Sequence, residues 1–407
     1  MVKMNSTDQT DIRPLSGVKV LDFTQALSGP YCTMMLADAG AEIFKVEPVE
    51  HGDHVRDWRY PGSSMSPYFL AANRSKKSAA IDLKSPRGKA LALALAKECD
   101  IIVENFRPGV MTRLGLSPEV IRAVNPRVIF CSISGFGQNG PLASRPAYDL
   151  IASGYGGSMS VTGDQGGMPC KLGIPAADIM GAMSAAYSIM LALKQREKTG
   201  EGQHLDISMV DTQISAMAYH LLNYQMTGSM PVRMGSANPL MSPYQSFETA
   251  DQDINLGVLN ERQWAAFCVA LDEPEWRDDP RFNRVQARLK NRKTLCEMIS
   301  LKLKTNNATH WLERLSTAGV PCGPIRTVQD LVSDHEMDDR KILVDVELDG
   351  KTIRVPGAPW KGIGVKASDT LPPQLGSSTH EVLATVLGLS TEEIGSLEAD
   401  GVIACQA

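Results

Sequence analysis

Between residues 18 and 137 short apolar runs alternate with segments in which apolar positions return every three or four residues. VKVLDF (18–23), EIFKVE (42–47), KSAAIDL (77–83), DIIVENF (100–106) and RVIFCSISGFG (127–137) are strand-length and are predicted as buried strands. YCTMMLADAG, closing at Gly40, SPRGKALALALAKE (85–98) and PEVIRAV (118–124) are predicted as helices. Ser85 is placed as an N-cap with Pro86 in the first helical position, and Gly40 just past a helix end. Connections of this kind imply parallel strands, so the pattern predicts an α/β fold around a doubly wound parallel sheet. Ligands on such sheets meet the carboxyl ends of the strands. Those ends carry DFTQALSGP, VENFRPG and SISGFGQNGP.

From Ala176 to Lys198 the pattern is one long helix, stopped by Gly200. GQHLDISM is a further strand, and VDTQISAMAYHLLNYQM one helix. Residues 227–245 are rich in Gly, Pro, Ser and Met and predict a linker or active-site loop. The stretch 246–325, with a short β segment (FETADQDINLGVL) and helices around WAAFCVAL, KTLCEMISLKLK and ATHWLERLSTAG, predicts a smaller α+β domain. HEVLATVLG predicts a helix near the end, and Ser390-Thr391-Glu392-Glu393 is a capping box for a last short one.

The length of 407 residues agrees with two domains. A net charge of -5 argues against a dedicated nucleic-acid surface. No unbroken apolar run reaches the ~18 residues of a membrane span. The first 17 residues are polar and carry Asp8, Asp11 and a single Arg, unlike a secretory or transit signal. Eight cysteines without any CxxC suit free thiols in a reducing compartment, so a cytoplasmic location is expected. The seven histidines form no ligand cluster, and no metal is expected. With no GxGxxG and no Walker lysine, NAD and ATP lack support.

One carboxylate stands out. Asp178 opens the long apolar helix, and Lys194, Arg196 and Lys198 close it. Charges so placed complement the helix dipole, about 0.3–1 kcal/mol each. The same position suits a nucleophile: the helix N-terminus keeps the carboxylate ionised, and Ala176, Ala177 and Gly181 leave room for a substrate. The glycine turn from Ser134 to Pro141 is either a tight loop or a ligand cradle. Arg74-Ser75-Lys76-Lys77, Arg107 and Arg113 lie near strand ends and are either solvated charges or phosphate ligands.

Taken together these segments resemble the class III coenzyme A transferases, the family of formyl-CoA transferase and carnitine CoA-transferase. The resemblance runs from about Pro14 to the end. It rests on PLSGVKVLDFTQALSGPYCTMMLADAGAEIFKVE, Gly52-Asp53 with Arg56, VENFRPGVMTRLGL, SISGFGQNGP, REKTGEGQHLDISMVD and AGVPCGPI in that order. It implies that Asp178 is the nucleophile of a CoA-transferase, forming a mixed anhydride with the acyl group and then an aspartyl-CoA thioester. Coenzyme A enters as a substrate, with a small carboxylic acid as the other. The implied CoA contacts are Leu27, Ala72, Asn73, Asn105, Phe106, Arg107, Arg113, Ser134, Gly135, Phe136 and Gly137, with Arg107 and Arg113 on phosphates and Ala72, Asn73 and Phe106 near the adenosine. The implied assembly is an interlocked homodimer of Rossmann-like large domains and smaller α+β domains. The implied domains are 1–225 (large, CoA-binding, first part), 226–328 (small) and 329–407 (returning to the large domain).

Two positions depart from formyl-CoA transferase. Pro48 replaces a basic residue, and Met234-Gly235-Ser236-Ala237-Asn238-Pro239 lacks the glycine run of the shielding loop. Formyl-CoA and oxalate therefore do not follow as substrates. Two other functions stay open. A racemase of the α-methylacyl-CoA type needs a histidine in the segment Arg145–Leu150, where this chain has Tyr148, a poor base at neutral pH. A non-catalytic CoA-binding protein would have no use for Asp178. Four methionines between 226 and 244 suggest an adaptable apolar lining, and Arg233 is either a second-carboxylate ligand or a solvated loop residue.

Overall fold

The computed structural model describes residues 13–335, 338–362, 364–365 and 369–406. Contacts group them into two units. One holds the described chain up to Ser158, Leu172–Leu222 and the chain from His335 on; the other holds Met159–Lys171 and Asn223–Asp334. The sequence reading did not separate residues 159–171 from their surroundings.

The strands in chain order are β1 Lys19–Asp22, β2 Glu42–Glu47, β3 Lys76–Ile81, β4 Ile101–Glu104, β5 Ile129–Ser134, β6 Gln203–Ser208, β7 Tyr244–Glu248, β8 Asp253–Gly257, β9 Cys322–Pro324, β10 Leu343–Leu348, β11 Lys351–Pro356 and β12 Ile403–Ala404. The first unit is built on a seven-stranded sheet of order β12-β3-β2-β1-β4-β5-β6. All neighbours are parallel except β12, which runs antiparallel to β3. The run β3-β2-β1-β4-β5-β6 is the doubly wound order, and it reverses between β1 and β4.

Why the sheet is covered on both faces follows from its register. Phe44, Leu21, Ile102 and Phe130 lie side by side across four strands. They pack with Ala92, Leu95 and Ile121 of helices Pro86–Glu98 and Pro118–Val124, and with Val382 and Ile394 of the C-terminal helices. One residue earlier in each strand, Ile43, Val20, Ile101 and Ile129 face the opposite layer. There they meet helices Ser28–Asp38 and Ala176–Thr199. Strand period two thus divides one apolar sequence between two cores.

Several elements differ from the sequence reading. The first helix begins at Ser28, so Gly29 and Pro30 lie in its first turn, where a missing N–H costs nothing. The segment read as one helix after β6 is two, Met209–Ala216 and Ala218–Thr227, separated at Met217. The β segment near 247–259 holds the end of β7, the turn and all of β8 of a hairpin that β9 extends. Helix Ala176–Thr199 is long and apolar enough to cross a membrane, with a mean hydropathy of 1.5, which a search for unbroken apolar runs does not register. It belongs to the core nonetheless. Ala177, Gly181, Ala185, Ile189 and Ala192 form a buried stripe against the sheet, and Gly200 ends the helix at φ 78°.

In the second unit, β7, β8 and β9 form an antiparallel sheet. Helices Glu261–Ala270, Arg292–Leu303 and Ala308–Thr317 enclose a core with Trp264, Phe267, Phe282 and Trp311.

Candidate active site

The reversal between β1 and β4 opens a crevice at their carboxyl ends. The loop after β1 is fixed from three directions. The Asn105 side chain, just past β4, reads the Gln25 peptide: its Oδ1 accepts from Gln25 N at 2.8 Å and its Nδ2 donates to Gln25 O at 2.8 Å. Ala26 has φ 63°, a strained value for a side chain with Cβ, and its N–H donates to Asp53 Oδ1 at 3.1 Å. Gly29 has no room for more: a Cβ there would stand 2.4 Å from the Thr24 side chain and 3.1 Å from Asn105.

Beneath the loop lies a buried ionic network. Asp22 accepts from Thr24 N, Thr24 Oγ1 and Thr33 Oγ1, and pairs with Lys76 Nζ at 3.0 Å. Lys45 Nζ donates to Thr24 O at 2.7 Å and to Asp53 Oδ2 at 3.1 Å. Glu47 takes Arg56 in a fork, 2.8 and 2.7 Å, while Ser78 Oγ donates to it at 2.6 Å. Burial works to raise the Glu47 pKa, but Arg56 and Lys45 hold it below the ordinary value. Gly52-Asp53 with Arg56 is therefore a structural brace under the crevice.

Glu104, the last residue of β4, is the exception. It is buried with no ion-pair partner among the described residues, and burial pushes its pKa to about 7 against the hydrogen bonds from Ser132 and from Phe106 N, the latter at 2.8 Å. A carboxyl whose pKa rises on folding favours folding while protonated. The contribution is present below the unfolded value of ~4.5 and is lost as pH climbs through about 7. Glu104→Gln is expected to remove this decline. Its stability relative to the parent should be higher at pH 8 than at pH 5 by on the order of 1–3 kcal/mol, measured by urea unfolding.

The nucleophile candidate completes the crevice. Asp178 is in the first turn of helix Ala176–Thr199 and is half-buried. Next to it, Ala177 N donates to Asp149 Oδ1 at 2.8 Å, so helix Asp149–Tyr155 anchors the helix start. One cavity is lined by Asp178 together with Asn105, Phe106, Arg107, Ser134 and Gly135, and with Ala26, Ser28, Arg145 and Tyr148. Ser134 is 7% exposed, and its Oγ has no hydrogen-bond partner among the described residues. An orphaned hydroxyl in a cavity wall is a position for a ligand atom.

Five of the eleven residues expected to touch CoA thus share a cavity with Asp178. Leu27, Ala72, Asn73, Arg113, Phe136 and Gly137 do not line it. Ala72 and Asn73 are fully buried, and Asn73 spends its amide on Phe69 O and Lys76 Nζ. The basic run 74–77 is committed elsewhere: Arg74 forks onto Asp38, Lys76 pairs with Asp22, and Lys77 binds Glu42 and Glu381. Arg145 is a lining residue that the sequence reading passed over. Its only signal was its place in RPAYD, a few residues past the glycine turn.

A carboxylate, two arginines and an orphaned hydroxyl thus line one cavity of the doubly wound α/β unit. The chain belongs to CoA-transferase family III, whose model matches residues 15–379. It is 36% identical over 401 residues to the human succinyl-CoA:glutarate CoA-transferase, covering 98% of this chain and 91% of that protein. It is also 36% identical over 348 residues to an acetyl-CoA:oxalate CoA-transferase of Acetobacter aceti, covering 84% and 90%. Among solved structures it resembles a CAIB/BAIF family protein from Brucella suis, with a TM-score of 0.82, 33% identity and coverage of 92% and 99%. Rv3272 from Mycobacterium tuberculosis matches with a TM-score of 0.81 at 29% identity, covering 90% and 98%.

Proposed function

We propose that this protein moves CoA from an acyl-CoA to a carboxylic acid with Asp178 as the covalent carrier. The observation that carries the reading is the shared cavity of Asp178 with Asn105, Phe106, Arg107, Ser134 and Gly135. An Asp178 oxygen attacks the thioester carbonyl carbon, the C–S bond breaks, and a mixed anhydride and CoA thiolate result. The thiolate then attacks the aspartyl carbonyl of the anhydride. The donor acid leaves as a carboxylate and an aspartyl-CoA thioester remains. An acceptor carboxylate attacks that thioester, giving a second anhydride and the thiolate again. Attack of the thiolate on the acceptor's carbonyl yields the new acyl-CoA and restores Asp178. Every attacking group is an anion at neutral pH, so no general base is required.

The relatives are named for succinyl-CoA with glutarate and for acetyl-CoA with oxalate, which supports short carboxylic acids, dicarboxylic ones among them, as substrates here. The test is to incubate the protein with succinyl-CoA and then hydroxylamine or borohydride. Mass spectrometry should locate the modification on Asp178. Deuterium entering the α-carbon without acyl exchange would instead make the protein an isomerase.

The same reading includes an interlocked homodimer. Helix Ala176–Thr199 turns a second stripe outward, with Met183, Tyr187, Met190 and Leu191 exposed by 40–66%. An apolar stripe of this kind is matched by a second copy. Light scattering is expected to show a dimer, and Tyr187→Glu with Leu191→Glu should shift it to monomer. A parent protein that is monomeric at micromolar concentration would remove this part of the proposal.

A further inference from the structure

We infer that Arg145 receives the distal carboxylate of a dicarboxylic substrate and so sets the site's preference for diacids over monoacids; this rests on the reading of Asp178 as acyl carrier. The cavity contains two arginines, Arg107 and Arg145, and neither guanidinium has an ion-pair or hydrogen-bond partner among the described residues. The remaining question is which charge each one meets.

The two arginines are held by different parts of the fold. Arg107 follows Asn105 and Phe106 on the loop that clasps Gln25. Arg145 is coupled to the nucleophile's side. Two residues on, Ala147 packs so closely on Gly135 that a Cβ at Gly135 would come within 2.3 Å of its methyl. Four residues on, Asp149 holds the N–H of Ala177, the neighbour of Asp178. The backbone that carries Arg145 is thereby tied to the start of the Asp178 helix, while its side chain is exposed at the cavity wall.

Chemistry selects its partner. Arg145 lines the same cavity as Asp178, so under the carrier reading it stands on the acyl side of the thioester. The part of CoA next to its sulfur is an uncharged amide chain, which gives a guanidinium no counter-ion. A monocarboxylic acid loses its only charge on becoming a thioester. A dicarboxylic acid keeps one, at the end away from the sulfur, and arginine's fork fits a carboxylate in two parallel hydrogen bonds.

The experiment compares acceptors of equal length, succinate with butyrate and glutarate with pentanoate, at one saturating donor. The parent is expected to favour the diacids. In Arg145→Gln the diacid-to-monoacid ratio of kcat/KM should fall about 10- to 100-fold, the loss of one charged hydrogen-bonded pair. Arg145→Lys, which keeps the charge but not the fork, should fall less. An equal loss for diacids and monoacids would overturn the inference, as would a parent that shows no diacid preference or uses no diacid. Hydroxylamine trapping separates the two levels. Absence of an Asp178 adduct in the parent defeats the carrier reading, whereas a normal adduct with an unchanged ratio in Arg145→Gln defeats only the role of Arg145. Melting temperatures of both variants confirm that the fold is retained.

Discussion

Replacing Asp178 with alanine or asparagine is expected to abolish CoA transfer, lowering kcat by at least ~10⁴-fold, the scale seen when a covalent nucleophile is removed. Asparagine keeps the size of the side chain but has no anionic oxygen to attack a thioester, so no anhydride and no aspartyl-CoA forms. The same substitution separates catalysis from architecture. As a first-turn acid on helix Ala176–Thr199, Asp178 contributes only about 0.3–1 kcal/mol through the helix dipole. If that were its whole role, Asp178→Asn would lose a little thermal stability and keep its turnover. The expected result is the reverse: a melting temperature within a few degrees of the parent, no transfer between any acyl-CoA and any acid, and no covalent adduct by intact-mass measurement. Full turnover in Asp178→Ala would end the carrier mechanism outright.

What could be read in advance follows from where the information sits. The row Phe44–Leu21–Ile102–Phe130 and its partner row one residue earlier were legible because each strand carries its own apolar signal. Caps are equally local: Ser85 accepts from Gly88 N and Ser390 from Glu393 N, as their spacing announces. Strand β12 was not legible, since two residues of ordinary composition become a strand only by meeting β3, more than 300 positions earlier. Hairpin β10–β11 has alternating polar positions that a charged surface loop would share. The site divides in the same way. Asp178 was visible from its helix and from the family resemblance. The sequence leaves the basic run 74–77 open between solvated charge and phosphate ligand, because the carboxylates that engage it, Asp22, Asp38, Glu42 and Glu381, are remote in sequence. Arg145 is the converse case: it stands out only once the partners of the other charges are known.

Removing one partner of the buried pair Asp22–Lys76 is expected to destabilise the protein strongly. Both side chains are fully buried, 3.0 Å apart. Burial lowers the Lys76 pKa to about 8, and Asp22, against its own burial, is held low by Lys76 and Lys45, so both are charged at pH 7. Lys76→Met would leave Asp22 with its threonine donors and the charge of Lys45, but without its contact cation. Breaking one side of such a pair costs about 3–5 kcal/mol, which corresponds to a fall in melting temperature on the order of 10 °C. The double variant Asp22→Asn, Lys76→Met should recover part of that loss, because no uncompensated charge remains. The effect also has a functional side. Lys76 Nζ holds Pro30 O and Asn73 Oδ1, and Asp22 holds Thr24, so the pair pins both ends of the loop whose Ala26 and Ser28 line the Asp178 cavity. Well below its melting temperature, Lys76→Met is therefore expected to raise KM for acyl-CoA while leaving covalent loading of Asp178 detectable at saturating substrate. A variant with unchanged melting temperature and unchanged KM would mean that the network neither stabilises the unit nor shapes its cavity.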